Sequence, residues 1–600
     1  MNHPRNPLAV EKKISPSDKK PSLSYVLKRL WGYLARYRWL LILALILTVS
    51  SNLLALVGPL LSGYAINAIA LGVGNVDFHI VFYYCLLMVI FYVVSSIMGY
   101  LLSLLLIRLS RKVIYQMRKD VFNRLVSLPV GFFDRHQTGD VISTISYDID
   151  TINASLSSDL FQVITSVITV VGSFVMMLTI SPQLVLVFVV TIPVSILLTR
   201  FIAKRVQPLY RKRSKKLGEL NGYIEEVTGG MKTAKAYHQE ETFIHRFDVK
   251  NKEAVNAYFA ADYFGSITGP SVNFVNNLSL ALVSVFGALL YMAGGISLGS
   301  VSSFVLYSRK FSGPINEFAN ILADLQSAVA ATERVFRLLD ELPEPADAPE
   351  ALALENIDGT VVMEHVTFGY EPNKTILHDL DLKATSGSVV AIVGPTGAGK
   401  TTLINLLMRF YDIDQGAIRI DGHDIRDVKR KNLRLLYTMV LQDTWLFYGT
   451  IYENIAYGKD GATREEVIEA AKAAKIDRFI ESLPQNYDTV LSDNAVNISK
   501  GQKQLITIAR AMLMDSKMLI LDEATSNVDT QTERRIQSAM LKLMENRTCF
   551  VIAHRLSTIR NANVILVVWD GRIVEQGTHE QLIQNQGVYY KMYLSQQNEY

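Results

Sequence analysis

The stretch "GSVVAIVGPTGAGKTTLINLLMRF", residues 387–410, decides the fold of the C-terminal half. Five apolar residues, Val389–Val393, read as a buried strand, and from Lys400 onward apolar residues recur at helical spacing. Between them, Gly394-Pro395-Thr396-Gly397-Ala398-Gly399-Lys400-Thr401 fits G-x-x-x-x-G-K-[ST]. Glycines let the backbone curl so that its N–H groups face phosphate oxygens, and a helix N-terminus favours their charge. In such a loop Lys400 would reach the β- and γ-phosphates, and Thr401 would offer its hydroxyl to Mg²⁺.

Working outward, "KMLILDEATS" (517–526) is an apolar strand ending in two acids. Asp522 can hold Mg²⁺ and Glu523 can polarise a water. "RTCFVIAHR" (547–555) is another, ending at His554, where a γ-phosphate contact is expected. Gln442 follows a third apolar strand in "MVLQDTWLF" (439–447), placed to sense Mg²⁺ and the water. Taken singly, each is an ordinary strand-end or surface residue; spaced after a phosphate loop, they form a hydrolytic set. Short strands alternating with amphipathic helices from about 359 to 600 predict an α/β domain. "RLLDELPEPADAPEALALENID" (337–358), rich in Pro, Ala and acids, reads as a linker before it.

The first half differs. Half of all residues are hydrophobic and only 19% charged, which points to membrane segments. No Asp, Glu, Lys or Arg occurs in 40–76, 80–107, 160–199 or 263–308. Six spanning helices are expected, near 40–61, 80–107, 160–180, 183–203, 266–292 and 299–320, with Ser181-Pro182-Gln183 turning one into the next. The sixth must run past Arg309 and Lys310, which either face a water-filled cavity or sit nearer the cytoplasm. Asn273, Asn276 and Asn277 form a polar stripe on the fifth, for cargo or for interhelical hydrogen bonds. Lys and Arg crowd the loops after the second and fourth helices and avoid the presumed outer loops, which predicts cytoplasmic termini. Before the first span, "SYVLKRLWGYLARYRW" (24–39) has the pattern of an amphipathic helix at the membrane surface, after a polar tail over 1–23 without a cleavable signal. A net charge of +4 gives no footprint for nucleic acid, and Cys85 and Cys549 make no disulfide framework.

One further stretch, "NISKGQKQLITIARA" (497–511), reads either as a sugar-acceptor site outside the cell or as a nucleotide-contacting turn running into a helix. Charge placement puts it in the cytoplasm and removes the first reading.

Phosphate loop, Gln442, the Ser499–Gln502 turn, Asp522-Glu523, Ser526–Asp529 and His554 stand in the order of an ABC transporter ATPase. With the preceding spans, the chain resembles an ABC exporter half-transporter over nearly its whole length. The likeness is greatest to one subunit of the heterodimeric bacterial multidrug exporters. The resemblance implies a membrane domain over 24–336 joined to an α/β P-loop ATPase over 359–600. It implies ATP and Mg²⁺ as cofactors and a multi-pass place in the bacterial cytoplasmic membrane. Tyr370 in "VTFGYEPN" matches the ring that stacks on adenine. Gly394, Thr396, Gly397, Gly399, Lys400, Thr401 and Thr402 would hold phosphates, with Thr401, Gln442 and Asp522 at the metal. Glu523, His554 and Gln442 would be catalytic. Ser499, Gly501 and Gln502 would close on the ATP of a second half-transporter. "GFFDRHQTGD" (131–140) and "EEVTGGMKTAKAYHQEE" (225–241) resemble the coupling helices that press on the ATPase domains.

The signature turn departs from the family. Ile498-Ser499-Lys500-Gly501-Gln502 stands for Leu-Ser-Gly-Gly-Gln, "SDNAVN" at 492–497 lacks the usual Glu, and Ser526-Asn527-Val528-Asp529 replaces Ser-Ala-Leu-Asp. Glycine permits a backbone conformation and a close approach that Lys500 obstructs. The expectation is an asymmetric heterodimer with a partner of intact signature, in which this chain's turn serves a site that binds ATP and hydrolyses it poorly. The cargo expected is amphipathic or hydrophobic small compounds, with a lipid or lipid-linked precursor, and a homodimer, as the alternative.

Overall fold

The computed structural model describes residues 23–70, 76–442, 444–491, 498–522, 529–553 and 559–597. The described residues divide into two compact units, 23–126 with 138–341, and 127–137 with 342–597.

The first unit is helical. Leu23–Ala35 is followed by long helices at Arg38–Ile69, Phe78–Val126, Leu160–Ile180, Pro182–Gly229, Thr268–Met292 and Leu298–Asp340. Among the described residues, five stretches are long and apolar enough to cross a membrane, within 38–69, 78–126, 138–180, 182–229 and 240–292, and each contains one of the first five expected spans. The helix Leu298–Asp340, which covers the expected sixth span, carries Arg309 and Lys310 and falls outside that set. It runs to Asp340, into the segment where the sequence pattern places the linker. Ser181 is extended (φ −159°) and Pro182 opens the next helix, where its missing N–H costs nothing.

Helices pack through small and polar groups, as expected where lipid is as apolar as leucine. The Tyr307 hydroxyl donates to Leu56 O at 2.6 Å and Ser303 to Pro59 O at 2.8 Å, beside a close approach of Gly63 and Gly299. Of the asparagine stripe, Asn276 lines a small pocket with Thr191, Ser279, Phe188 and Phe311, whereas Asn273 and Asn277 are exposed. At Leu23–Ala35, Val26 and Leu34 are buried, while Leu27 and Trp31 of the same apolar pattern stay exposed.

The second unit is built on a six-stranded sheet in the order Arg572–Gly577, Val564–Trp569, Val389–Val393, Thr548–Ile552, Met518–Asp522, Tyr437–Val440. All pairings are parallel except that of the first strand. A parallel sheet is buried on both faces, which is why its strands read as continuous apolar runs. Alternation along the phosphate-loop strand divides the core: Val390 and Ile392 join the layer under an antiparallel four-stranded sheet, and Ala391 and Val393 the layer under the helices. The antiparallel sheet is ordered Leu377–Ala384, Val361–Phe368, Gln415–Ile420, His423–Asp424.

Candidate nucleotide site

The phosphate loop follows its strand directly and opens the helix Lys400–Leu407. Gly399 caps that helix at φ +103°, where a side chain would be strained and its Cβ would lie 2.6 Å from Leu377. A Cβ at Gly394 would collide with the Val568 carbonyl. These glycines are therefore demanded by the backbone and its packing. Lys400 is buried, its ammonium donating to Gly394 O at 2.8 Å and Pro395 O at 2.9 Å. Burial draws its pKa below the usual lysine range, and the carboxylate of Asp522 works against that shift. Thr396 and Thr401 are exposed beside it, and Thr402 is buried.

Register brings Asp522 to the same edge. Ile392, Ile552 and Asp522 are aligned across three neighbouring strands, so Asp522 sits two strands from the loop strand at the carboxyl end of the sheet. In open α/β sheets ligands bind at that edge. Gln442 is exposed two residues beyond Tyr437–Val440, three strands from the loop strand, or roughly 14 Å at ~4.8 Å per strand. Glu523 and His554, which follow Asp522 and Ala553 in the chain, lie outside the described residues, as do Ser526, Asn527 and Val528. Asp529 is described and caps the helix Thr530–Met544, accepting from Gln531 N at 3.1 Å and Thr532 N at 2.9 Å.

Tyr370 stands beside the phosphate-loop helix. Its hydroxyl donates to Thr402 Oγ1 at 3.2 Å and accepts from Asn405 Nδ2 at 3.3 Å. The half-exposed ring meets Phe368 and Tyr411 edge-on, at centroid separations of 5.1 and 4.9 Å. Sequence reasoning missed Tyr411, whose place after the loop helix carries no motif. Its hydroxyl donates to the Asp134 carboxylate in "GFFDRHQTGD", and Gly131 of that stretch abuts its ring. Arg430 and Arg434 were missed as well. Spaced i, i+4, they look like a solvated charged face, yet Arg430 is buried.

The signature turn begins the helix Lys500–Met514. Ser499 and Gln502 form a reciprocal capping box: Gln502 N donates to Ser499 Oγ at 3.2 Å, and Ser499 N to Gln502 Oε1 at 2.9 Å. Gly501 is buried and Lys500 exposed. Lys500 is the first helical residue, and its φ is not positive. This corrects half of the objection raised from sequence. No glycine-only backbone is required at 500, so what remains is the side chain's obstruction of close approach.

Glycine loop, lysine, strand-end acid and flanking tyrosine make this unit a P-loop ATPase, fused to membrane-crossing helices. Comparison with known proteins gives the family. Residues 41–315 match the ABC transporter transmembrane region and 377–526 the ABC transporter family. A fatty acid ABC transporter ATP-binding/permease protein of Mycobacterium bovis is 46% identical over 84% of this chain and 79% of its own. An ATP-dependent lipid A-core flippase of Sodalis glossinidius is 35% identical over 96% of this chain and 99% of its own. The structure of a bacterial Atm1-family ABC exporter with ATP bound superposes with a TM-score of 0.75 at 31% identity, covering 94% of this chain and 99% of that one. The chain belongs to the ABC transporter family and is an ATP-driven transport ATPase of the exporter type.

Proposed function

We propose that this chain exports amphipathic or hydrophobic compounds by alternating access, as the catalytically competent half of an asymmetric pair in the bacterial cytoplasmic membrane. The observation that carries this reading is the contrast between an intact phosphate loop, with Lys400 buried over it and Asp522 at the same sheet edge, and a signature turn with Lys500 at its first helical position. At the working site Gly394, Thr396, Gly397, Gly399, Lys400 and Thr402 bind the phosphates of ATP, and the Tyr370 ring stacks on the base. Mg²⁺ is a hard cation suited to oxygen donors, and Thr401, Asp522 and Gln442 supply them, so these residues fit it and would hold it. Glu523 polarises the attacking water and His554 contacts the γ-phosphate, while Gln442 would sense Mg²⁺ and the water. A second half-transporter contributes an intact signature to this site. In return Ser499, Gly501 and Gln502 close on the partner's ATP, where Lys500 keeps the turn too far for efficient transfer. ATP binding draws the ATPase domains together and turns the cavity outward, and hydrolysis resets it.

A second reading, with a lipid or fatty acid as cargo, is favoured by the names of the relatives above. Ethidium and a fluorescent fatty acid, each followed in inside-out vesicles, separate the two. The asymmetry is tested by Glu523→Gln in the purified complex. Loss of a general base costs on the order of 100-fold in turnover, so steady ATPase near the unmodified rate would sink the assignment.

A further inference from the structure

The segment read as a linker is strapped to the ATPase unit. Arg434 grips the Glu344 carboxylate with both terminal nitrogens, Nη1 at 3.0 Å to Oε2. Arg430, 8% exposed at its side chain, donates to Pro345 O at 2.7 Å, to Asp347 Oδ1 at 3.2 Å and to Asp412 Oδ2 at 3.1 Å. Asp412 also holds Arg409 at 2.9 Å, and Arg409 lies two residues beyond the phosphate-loop helix. The strap reaches one more place: Glu344 N donates to Ser127 O at 2.8 Å. Ser127 follows the helix Phe78–Val126, and Leu342 comes two residues after the helix Leu298–Asp340. Two points where the chain leaves the membrane unit are thus pinned together, and pinned by the same pair of arginines to the end of the phosphate-loop helix.

We propose that Arg430 and Arg434 are positioning residues for energy coupling. They hold both chain exits rigidly to the phosphate-loop helix, so that a shift of that helix is passed to the membrane helices. Rigidity follows from the bond pattern. Bidentate Arg–carboxylate pairs fix orientation as well as distance, and an arginine with little solvent access cannot exchange its partners cheaply for water. A flexible linker would absorb the motion, whereas this strap transmits it. Neither arginine touches nucleotide in this scheme, so hydrolysis itself does not need them.

The test uses the full-length chain in its purified complex, reconstituted in lipid nanodiscs and vesicles. Arg434→Gln and Glu344→Gln each remove the bidentate pair while keeping similar volume, and Glu344→Arg with Arg434→Glu reverses it. Hydrogen exchange needs no cargo: both single variants should raise exchange together at 342–348 and 127–131 and leave the phosphate-loop helix unchanged. Basal ATPase should stay within about twofold while ethidium or fluorescent fatty acid moved per ATP falls several-fold, with partial recovery in the charge-reversed pair. Unchanged exchange at both segments overturns the proposal. So does a parallel loss of ATPase and transport, or a charge-reversed pair no better than the singles. If neither probe moves with the unmodified complex, the cargo reading fails, and the exchange result still decides the strap.

Discussion

Tyr411 ties Tyr370 to the stretch 131–140: its ring meets Tyr370 edge-on at 4.9 Å, and its hydroxyl donates to the carboxylate of Asp134. Burial, reinforced by that carboxylate, pushes the Tyr411 pKa well above the ordinary phenol, so it stays a donor through the physiological range. One residue thus touches both the place where adenine would stack and the segment that resembles a coupling helix.

Tyr411→Phe keeps the ring against Tyr370 and deletes the bond to Asp134. A hydrogen bond to a charged group is worth about 1.5–3 kcal/mol, the lower end applying where water can replace it. ATP affinity should hold within about twofold while cargo stimulation of the ATPase drops. Nucleotide titration followed by stimulated ATPase checks this; an equal fall in affinity would make the tyrosine part of the base site instead.

Gly131→Ala places a methyl 2.8 Å from Tyr411 Cε1 and 3.0 Å from its hydroxyl. The ring must move, and overpacking of this kind costs about 1–3 kcal/mol. Melting of the complex should fall, and pairing with Tyr411→Ala should give back most of the loss. Failure of that rescue would mean the glycine serves some other contact.

Asp529→Ala removes the cap on Thr530–Met544, since Asp529 accepts from Thr532 N and Gln531 N. Those bonds, Thr532's first, hold its pKa below the usual carboxylate value. A depressed carboxylate contributes stability above its unfolded pKa of about 3.9 and loses it as pH falls through the folded value. The melting difference between parent and variant should therefore be constant from neutrality down to about pH 5 and shrink below about pH 4. A difference that grows on acidification would contradict the capping role.

Lys500→Gly probes the signature turn. Because residue 500 has ordinary helical backbone, glycine there gains nothing conformationally and costs up to ~1 kcal/mol of helix stability. The partner chain is expected to carry a defective catalytic acid at that site as well, so removing the Lys500 side chain alone leaves steady ATPase within about twofold. A several-fold rise would mean that Lys500 is the sole brake and the partner's acid is intact.

How much of this was legible in the sequence depends on the kind of signal. Val389–Val393, Met518–Asp522 and Thr548–Ile552 were readable because strands buried on both faces must be apolar throughout. The turn at Ser181-Pro182 was readable because proline is favoured in the first turn of a helix, where its missing N–H has no intrahelical partner to lose. Tyr411, Arg430 and Arg434 were not, because their partners lie 277, 85 and 90 positions away and no local pattern encodes such pairs. The linker reading did not foresee the strap, as proline and alanine report local chain preference and not the arginines waiting for Glu344 and Asp347. At Lys500 the sequence showed a departure from the family pattern, and only the backbone dihedral showed which half of the glycine argument applies.

The central claim is asymmetry between the two ATP sites. Its most direct measurement is the nucleotide retained by the complex purified on a tag carried by this chain, after turnover with Mg²⁺ and ATP and removal of free nucleotide. Native mass spectrometry counts chains and nucleotides together. The account predicts two different chains, with ATP kept at one site while the other turns over, and ATP kept at both in Glu523→Gln. Two copies of this chain alone, converting ATP to ADP equally at both sites, would contradict it.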